Sequence, residues 1–381
     1  MSDFRLHADQ ISVGTPLPFD TFDQDGKLLL RKGFVIDDPQ QLARLLARGL
    51  FREATSVTEV TPGPVRQVDR VHKISVIGLV GRVQDRLEAL LAEDAPVDFP
   101  TRLQALAGQL QHGFSLDSDA AIASIQMCHS GRYSTRRMVH GAILGELLLR
   151  ESGAGETQRR TSVCAALTMN IAMMELQDVL YDQKAPPSAD QMEQVRRHPA
   201  AGAQRLQQLG VTDPDWLAIV AQHHETIDGA GYPAALRGNA ISHAAQVLSA
   251  ADRYGAMATG RAYRPAAMPN AVLRQLFMDR DKNIEASLAG LLVKAVGIYP
   301  PGSLVALANG ETAVVVKRTK SANHPVVRCV RTNRNQILEQ PRKRLTSEPT
   351  YAITRLLPMS ELGFEVDLNL LWDEGFEVDT P

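Results

Sequence analysis

Aromatic residues are scarce: 5% of the 381 positions are Phe, Trp or Tyr, too few to favour a stacking surface for nucleic acid. Cysteine is scarcer still. Its three copies, Cys128, Cys164 and Cys329, are odd in number and far apart, with no CxxC pair. That argues against a disulfide scaffold and for reduced thiols. Neither sign of charge dominates, since 41 basic residues face 43 acidic ones for a formal net charge of -2. Nothing in that balance asks for a polyanionic partner. Long apolar runs are missing as well: SVIGLVG at 75–81 is too short to span a bilayer. MSDFRLHADQ is polar where the apolar core of a signal peptide would follow a basic start. These absences predict a cytoplasmic protein with no transmembrane segment, which would need a partner to work beside a membrane.

What is present is an ordinary globular composition, 44% hydrophobic and 22% charged, on a chain long enough for two or three domains. Residues 1–66 read as a small mixed α/β or β-rich module. Short strands are expected between Gly14 and Ile36 around the turn DQDGK. A helix follows in DDPQQLARLLARGLF, with Asp37 or Asp38 as cap and Leu42, Leu45, Leu46 and Leu50 on one face. Residues 67–117 carry two helical periodicities interrupted by PVDFP and read as connecting helices. From 118 to 300 nearly every segment reads as helix, rich in Ala and Leu and poor in β-branched residues. The texture changes at YPPGSLVALANGETAVVVKR, where prolines and a Gly-Ser or Asn-Gly turn introduce β-rich runs. Residues 301–381 are therefore expected to form a β-rich C-terminal extension. GFEVD occurs twice there, at 363–367 and 375–379, which is too little for a repeat architecture. The basic stretches KRTK, RTNRN and PRKR (341–344) read as solvated strand and loop faces, and no specific nucleic-acid partner is indicated.

One stretch carries chemistry: HHETIDGAGYP at 223–233. With His198 upstream and Asp252 in SAADRYGA downstream, His223 and His224 complete a set of imidazoles and a carboxylate suited to Fe, Mn or a similar divalent ion. The plainer reading has His198 capping its helix before Pro199, the histidine pair making polar contacts at a turn, and Asp252 as a surface charge or cap partner. Asp228, Gly229, Gly231, Tyr232 and Pro233 describe a rigid loop, with glycines for unusual backbone angles and a carboxylate to hold turn amides. Arg137, Lys184, Arg261 and Arg264 are cations that could each meet a phosphate. Their alternative is structural: arginines locking helices together and a lysine decorating the QKAPPS loop.

HHE at 223–225 with DGAGYP at 228–233 resembles the signature of the HD-GYP family, a helical branch of the HD superfamily, over about residues 118–300. RAYRP at 261–265 is similar to its Arg-x-Tyr-Arg element, Asp252 to the aspartate of the neighbouring helix, and GIYPPGSLVALANGE to the segment that often follows. The resemblance implies an HD-type helical bundle, a mainly α protein, and a link to cyclic di-GMP, which active members hydrolyse at a metal centre.

The same resemblance exposes losses. In its register the His-Asp doublet is Met169-Asn170, the following Gly-Lys is Ala172-Met173, and the earlier histidine is Arg137, with His140 three residues later. A thioether is a poor ligand for hard divalent ions and an amide lacks the carboxylate's charge. A permanent cation at 137 repels a metal. The expectation is a degenerate member with no catalytic residues: a noncatalytic signalling or protein-interaction module associated with cyclic di-GMP regulation, whose partner is a signalling protein. Its alternatives are a cyclic di-GMP-binding sensor and a residual metal-dependent phosphodiesterase. No cofactor is expected at full occupancy. A single weakly held Fe, Mn or other divalent metal on His198, His223, His224 and Asp252 is the alternative.

Overall fold

The computed structural model describes residues 75–262 and 264–372. Within the N-terminal stretch it describes Phe4–Arg5, Thr21–Phe22, Leu28–Leu30, Phe34, Ile36 and Phe51–Arg52. The helix expected within 37–50, the second GFEVD copy and Tyr263 of RAYRP lie outside the described residues. The chain divides into two compact units, Met1–Arg70 and Val71–Pro381.

In the first unit, β1 (Phe4–Arg5), β2 (Thr21–Phe22), β3 (Leu28–Leu30) and β4 (Phe51–Arg52) form an antiparallel sheet in the order β1-β4-β2-β3. β2 and β3 are the strands expected on either side of DQDGK. Thr21 pairs with Leu30 and Phe22 with Leu28, and the Thr21 hydroxyl donates to the Leu30 carbonyl at 3.3 Å.

The second unit is mainly helical. α1 (Val76–Leu91) starts where the Ser75 hydroxyl accepts from the Gly78 amide at 3.1 Å, one of the amides a helix start leaves without a partner. Val76, Val80, Val83, Leu87 and Leu90 recur every three or four residues and are buried, as an apolar helix stripe requires. α2 (Phe99–Leu116) does the same with Leu103, Leu106, Leu110 and Phe114. These two helices share one apolar core with those that follow Ser118. α3 (Ser118–Met127) is capped by Asp117, which accepts from the amides of Asp119 and Ala120, both at 2.9 Å.

α4 (Tyr133–Glu151) is buried along its whole length from Tyr133 to Leu149. A helix buried on every face must be enclosed by others, and here α5 (Glu156–Ala166), α6 (Met174–Asp182) and α9 (His243–Ala258) pack around it. Consequently Arg136, Arg137 and His140 are buried too. Gly141 on α4 admits Met169 closely: a Cβ there would lie 3.1 Å from the Met169 Cε. α7 (Ala189–Gln208) opens with a reciprocal cap, the Ser188 hydroxyl accepting from the Gln191 amide at 3.2 Å and Gln191 Oε1 accepting from the Ser188 amide at 2.9 Å. α8 (Pro214–Gln222), α10 (Pro269–Met278) and α11 (Ala286–Val296) complete the longer helices. No helix among the described residues is long and apolar enough to cross a membrane.

Beyond Gly297 the chain turns to strands: β5 (Leu304–Leu307), β6 (Thr312–Lys317), β7 (Val326–Arg331), β8 (Ile337–Leu345) and β9 (Ile353–Leu357). They make an antiparallel sheet in the order β8-β7-β6-β5-β9, with an Asn-Gly turn at 309–310 between β5 and β6 where Gly310 has φ +84°. Alternate residues serve two apolar clusters. Leu304, Val314, Val316 and Val330 join one, while Val305, Ala313, Val315 and Val327 join the other. PRKR falls on β8, an edge strand, where Arg342 and Lys343 are exposed and Arg344 pairs with Glu311 at 2.8 Å. A short helix, α12 (Leu368–Leu371), ends the described chain.

Candidate functional site

The site gathers around α7, the end of α8 and the middle of α9. His198 does not cap a helix. It sits inside α7 with Pro199 directly after it, 1% exposed. Pro199 has no N–H to give the carbonyl four residues back, and that carbonyl is Val195. His198 Nδ1 donates to it instead, at 2.6 Å. His223 follows the last turn of α8, where carbonyls lack helical partners, and its Nδ1 donates to Val220 at 2.7 Å. Because a carbonyl can only accept, both rings carry their proton on Nδ1. Their Nε2 lone pairs therefore face each other across 3.2 Å.

Two such lone pairs repel unless a cation stands between them. A proton is a poor candidate, since burial pushes His198 down to about 3, with His223 beside it acting in the same direction. Burial also lowers His223, against the opposing pull of Asp252 and the Val220 carbonyl. His224 joins the pair, and the ligand atoms of the three rings all lie within 4.8 Å of one another. Burial, then the two neighbouring rings and then Arg253 and Arg137, hold His224 well below the ordinary histidine range. Nitrogen–metal bonds of about 2.1 Å can bring two donors to one ion at the observed Nε2 separation. The trio fits a single divalent ion.

The fourth expected ligand is engaged elsewhere. Asp252 is 8% exposed on α9, neither a surface charge nor a cap. Its carboxylate is paired with the guanidinium of Arg137 on α4, and Arg137 Nη2 also donates to the Asp252 main-chain carbonyl at 2.9 Å. Asp252 stands outside the clustered donor set. Met169 is fully buried in the apolar core and Asn170 is 1% exposed. Asn170, Arg137, His224, Tyr232 and Asp252 line a cavity of about 240 Å³.

The loop after His224 is built by contacts the residue types imply. Asp228 accepts from the Thr226 hydroxyl at 2.6 Å and the Ala230 amide at 3.0 Å. Gly229 has φ +76°, which strains any side chain. A Cβ on Gly231 would lie 2.4 Å from the Thr226 nitrogen and 2.5 Å from the Glu225 Cα, so only glycine fits. Tyr232 stacks on His224 with ring centres 4.8 Å apart, and Pro233 follows it through a cis peptide bond. Glu225 had no role from the sequence beyond completing the HHE triplet. Buried at 2% exposure, it accepts from the amides of Ala234 at 2.6 Å and Leu236 at 2.9 Å and so organises the loop's far side. Asp178 was also missed. It ties the start of α4 to α6 by accepting from Arg132 Nε and the Ser134 amide, both at 2.7 Å. Only the capping preference of α4's first turn hinted at such a partner.

The remaining candidates scatter. Arg261 touches Tyr133 through a 3.4 Å hydrogen bond and lines both the small cavity and a larger one of about 440 Å³. Arg264 donates to the Ala256 carbonyl at 2.6 Å and lines the larger cavity alone. Lys184 is exposed on the loop before α7 and lines neither. His140 also belongs to the larger cavity, beside Arg136 and His129. It is not part of the histidine cluster.

His140 yields a pH prediction. Burial, then Arg136, Arg137 and His129, holds it well below the usual histidine value, so it is neutral in the folded protein. An unfolded histidine takes up a proton below about pH 6.5. Stability from this residue is thus present above that pH and lost as pH falls, by up to about 1.4 kcal/mol per unit. In His140→Gln, denaturant unfolding between pH 7 and pH 5 should show a shallower loss by up to that amount. An unchanged slope refutes the assignment.

The HD domain family matches residues 122–288. The chain is 28% identical over 200 residues to cyclic di-GMP phosphodiesterase PA4108 of Pseudomonas aeruginosa, covering 52% of this chain and 48% of that protein. It is 23% identical over 236 residues to cyclic di-GMP phosphodiesterase PdeB of Borreliella burgdorferi, covering 61% and 62%. The chain thus spans about half to three fifths of the length of these curated relatives. Among solved structures, Bd1817, an HDG"Y"P protein from Bdellovibrio bacteriovorus, shares the fold. It has a TM-score of 0.53 and 15% identity, over 77% of this chain and 99% of that one. Residues 122–288 thus form an HD domain, and HHE and DGAGYP at 223–233 lie within it.

Proposed function

We propose that this chain is a noncatalytic HD-GYP-like signalling module that acts in cyclic di-GMP regulation through a protein partner. Relatives named cyclic di-GMP phosphodiesterases support the association. The observation that carries the noncatalytic reading is the buried Arg137–Asp252 pair. The carboxylate best placed to join the histidines neutralises an arginine, and that guanidinium contributes positive charge where a second metal would need donors. A two-metal hydrolase uses both ions to make hydroxide and to stabilise the attacking and leaving oxygens. Met169, buried among apolar side chains, and the neutral Asn170 offer no substitute.

One metal remains compatible with this reading. His198, His223 and His224 would hold it, and the opposed Nε2 lone pairs favour its binding. When bound, Fe, Mn or a related ion would supply Lewis acidity at that point. Without a bridging carboxylate it would lack the paired partner. In this reading residues 118–300 are the degenerate domain, while 1–66 and 301–381 offer surfaces to a partner.

The test combines two measurements on anaerobically purified full chain. Elemental analysis should find fewer than two tightly bound transition metals per chain. Cyclic di-GMP turnover with added Fe or Mn should stay at background. Two metals per chain, or turnover abolished by His223→Ala, would establish the residual phosphodiesterase instead.

A further inference from the structure

Residues 363–367 and 375–379 both read Gly-Phe-Glu-Val-Asp, and the first copy shows what the pattern does on this fold. Gly363 turns the chain with φ +72°. Phe364 and Val366 then pack on the sheet cluster that holds Leu304, Val314, Val316 and Val330, while Glu365 and Asp367 stay exposed. The Arg331 guanidinium lies over the Phe364 ring, 5.4 Å from its centre. Asp367 caps α12 by accepting from the Asn369 amide at 2.9 Å. This copy lays its apolar side chains on the sheet and turns its carboxylates outward, as alternation along extended backbone does.

A cavity of about 450 Å³ continues that face, between the ends of α2 and α4 and strands β6 to β8. It shares no lining residue with the cavity beside the histidines. Its apolar wall includes Val316, Val326, Leu371 and Trp372, which belong to the same cluster that takes Phe364 and Val366. Its rim is basic. Asp117 is used as the cap of α3, Asp119 is paired with Arg318, and Arg150 is held by Glu146 at 3.1 Å. Lys317, Arg328 and Lys343 remain, with no ion pair among the described residues, against the carboxylate of Glu151. A free anion would use these cations and leave the apolar wall in water. A chain segment that alternates apolar and acidic residues uses both.

We propose that residues 373–381 dock in this cavity of their own chain, Phe376 and Val378 against the apolar wall and Glu377 and Asp379 toward Lys317, Arg328 and Lys343. The segment DEGFEVDTP carries Asp373, Glu374, Glu377 and Asp379 and no Lys or Arg. It follows directly on Trp372, which lines the cavity and whose Nε1 donates to the Val316 carbonyl at 3.1 Å. From residue 372 to Phe376 an extended chain reaches at most about 14 Å, the scale of the cavity itself. Tethering makes the encounter intramolecular, at an effective concentration on the order of millimolar, so modest contacts suffice. A docked tail withholds the basic rim from acidic segments of a partner.

The experiment uses the full chain and its tryptophans, Trp216 and Trp372. Trp216 is 1% exposed, so fluorescence quenching by acrylamide reads Trp372. Phe376→Ala should weaken docking about tenfold or more, the usual cost of removing an aromatic anchor, and so raise the quenching of Trp372. Glu377→Lys should raise it too, and adding Lys343→Glu, at an exposed position, should restore the protection. Both tail substitutions lie outside the helical core, and circular dichroism should be unchanged. A synthetic DEGFEVDTP peptide at about millimolar concentration should protect Trp372 in the Phe376→Ala chain, and a scrambled peptide of the same composition should not. Equal quenching in the unaltered and Phe376→Ala chains overturns the proposal. So does equal protection by the scrambled peptide. Protection that rises with protein concentration, together with a dimer in sedimentation, assigns the tail to a second copy and overturns docking within the chain.

Discussion

Asp252→Ala should destabilise the protein by about 3–5 kcal/mol, the usual cost of leaving one member of a buried ion pair without its partner. Arg137 and Asp252 have side chains only 3% and 10% exposed, so water cannot rescue the stranded guanidinium. Its remaining bond to the main-chain carbonyl of residue 252 would not balance a full charge in a low-dielectric interior. Adding Arg137→Met should recover much of the loss, because removing both charges from a buried site is often close to neutral. Chemical denaturation of the two single variants and the double variant forms the cycle that measures the coupling. A loss below about 1 kcal/mol in Asp252→Ala would mean that the pair behaves like a surface ion pair. Asp252 would then be available as a metal ligand, and the residual phosphodiesterase would regain ground.

The second large effect concerns metal affinity. Arg137→His removes a permanent positive charge and frees the Asp252 carboxylate next to His223, whose ring already feels that charge. A neighbouring charge commonly shifts a site's preference for a cation by one to three orders of magnitude. Divalent metal should therefore bind at least about tenfold tighter to Arg137→His than to the unaltered chain. Arg137→Lys keeps the charge and should show little gain. Competition against a chromogenic chelator reads both affinities directly, and circular dichroism checks that the helices persist. Equal affinity in Arg137→His and the unaltered protein would show that Arg137 does not govern the site. The metal-loaded Arg137→His protein should also unfold later than its apo form, since binding to the native state alone adds to stability.

The helical body was readable because its signal is periodic. Val76, Val80, Val83 and Leu87 mark one face of α1, and Ser188 with Gln191 announces the start of α7. The Asn-Gly turn before β6 was equally local, since it needs only a positive φ at Gly310. The orientation of His198 was implicit in the His-Pro pair at 198–199, because Pro199 frees the Val195 carbonyl that the ring then takes. The plainer reading of His198 as a cap fails because the helix continues through Pro199 to Gln208. Glu225 was visible inside HHE, but its partners, the amides of Ala234 and Leu236, exist only once the loop has folded back.

By itself the sequence determined the family signature, the helical repeat, the strand-rich tail and the residue types standing in the doublet register. Those are properties of composition and short-range order, which backbone geometry turns into elements. Only the tertiary structure decided which basic residue of α4 meets Asp252. Arg137 and His140 are three residues apart, roughly 60° around a helix of 3.6 residues per turn, so periodicity placed both on one side. The packing of α4 against α9 brings Arg137 to Asp252 and leaves His140 in the larger cavity with Arg136. Contacts across 115 residues depend on how whole helices seat their faces together, and that choice is made by the assembled core.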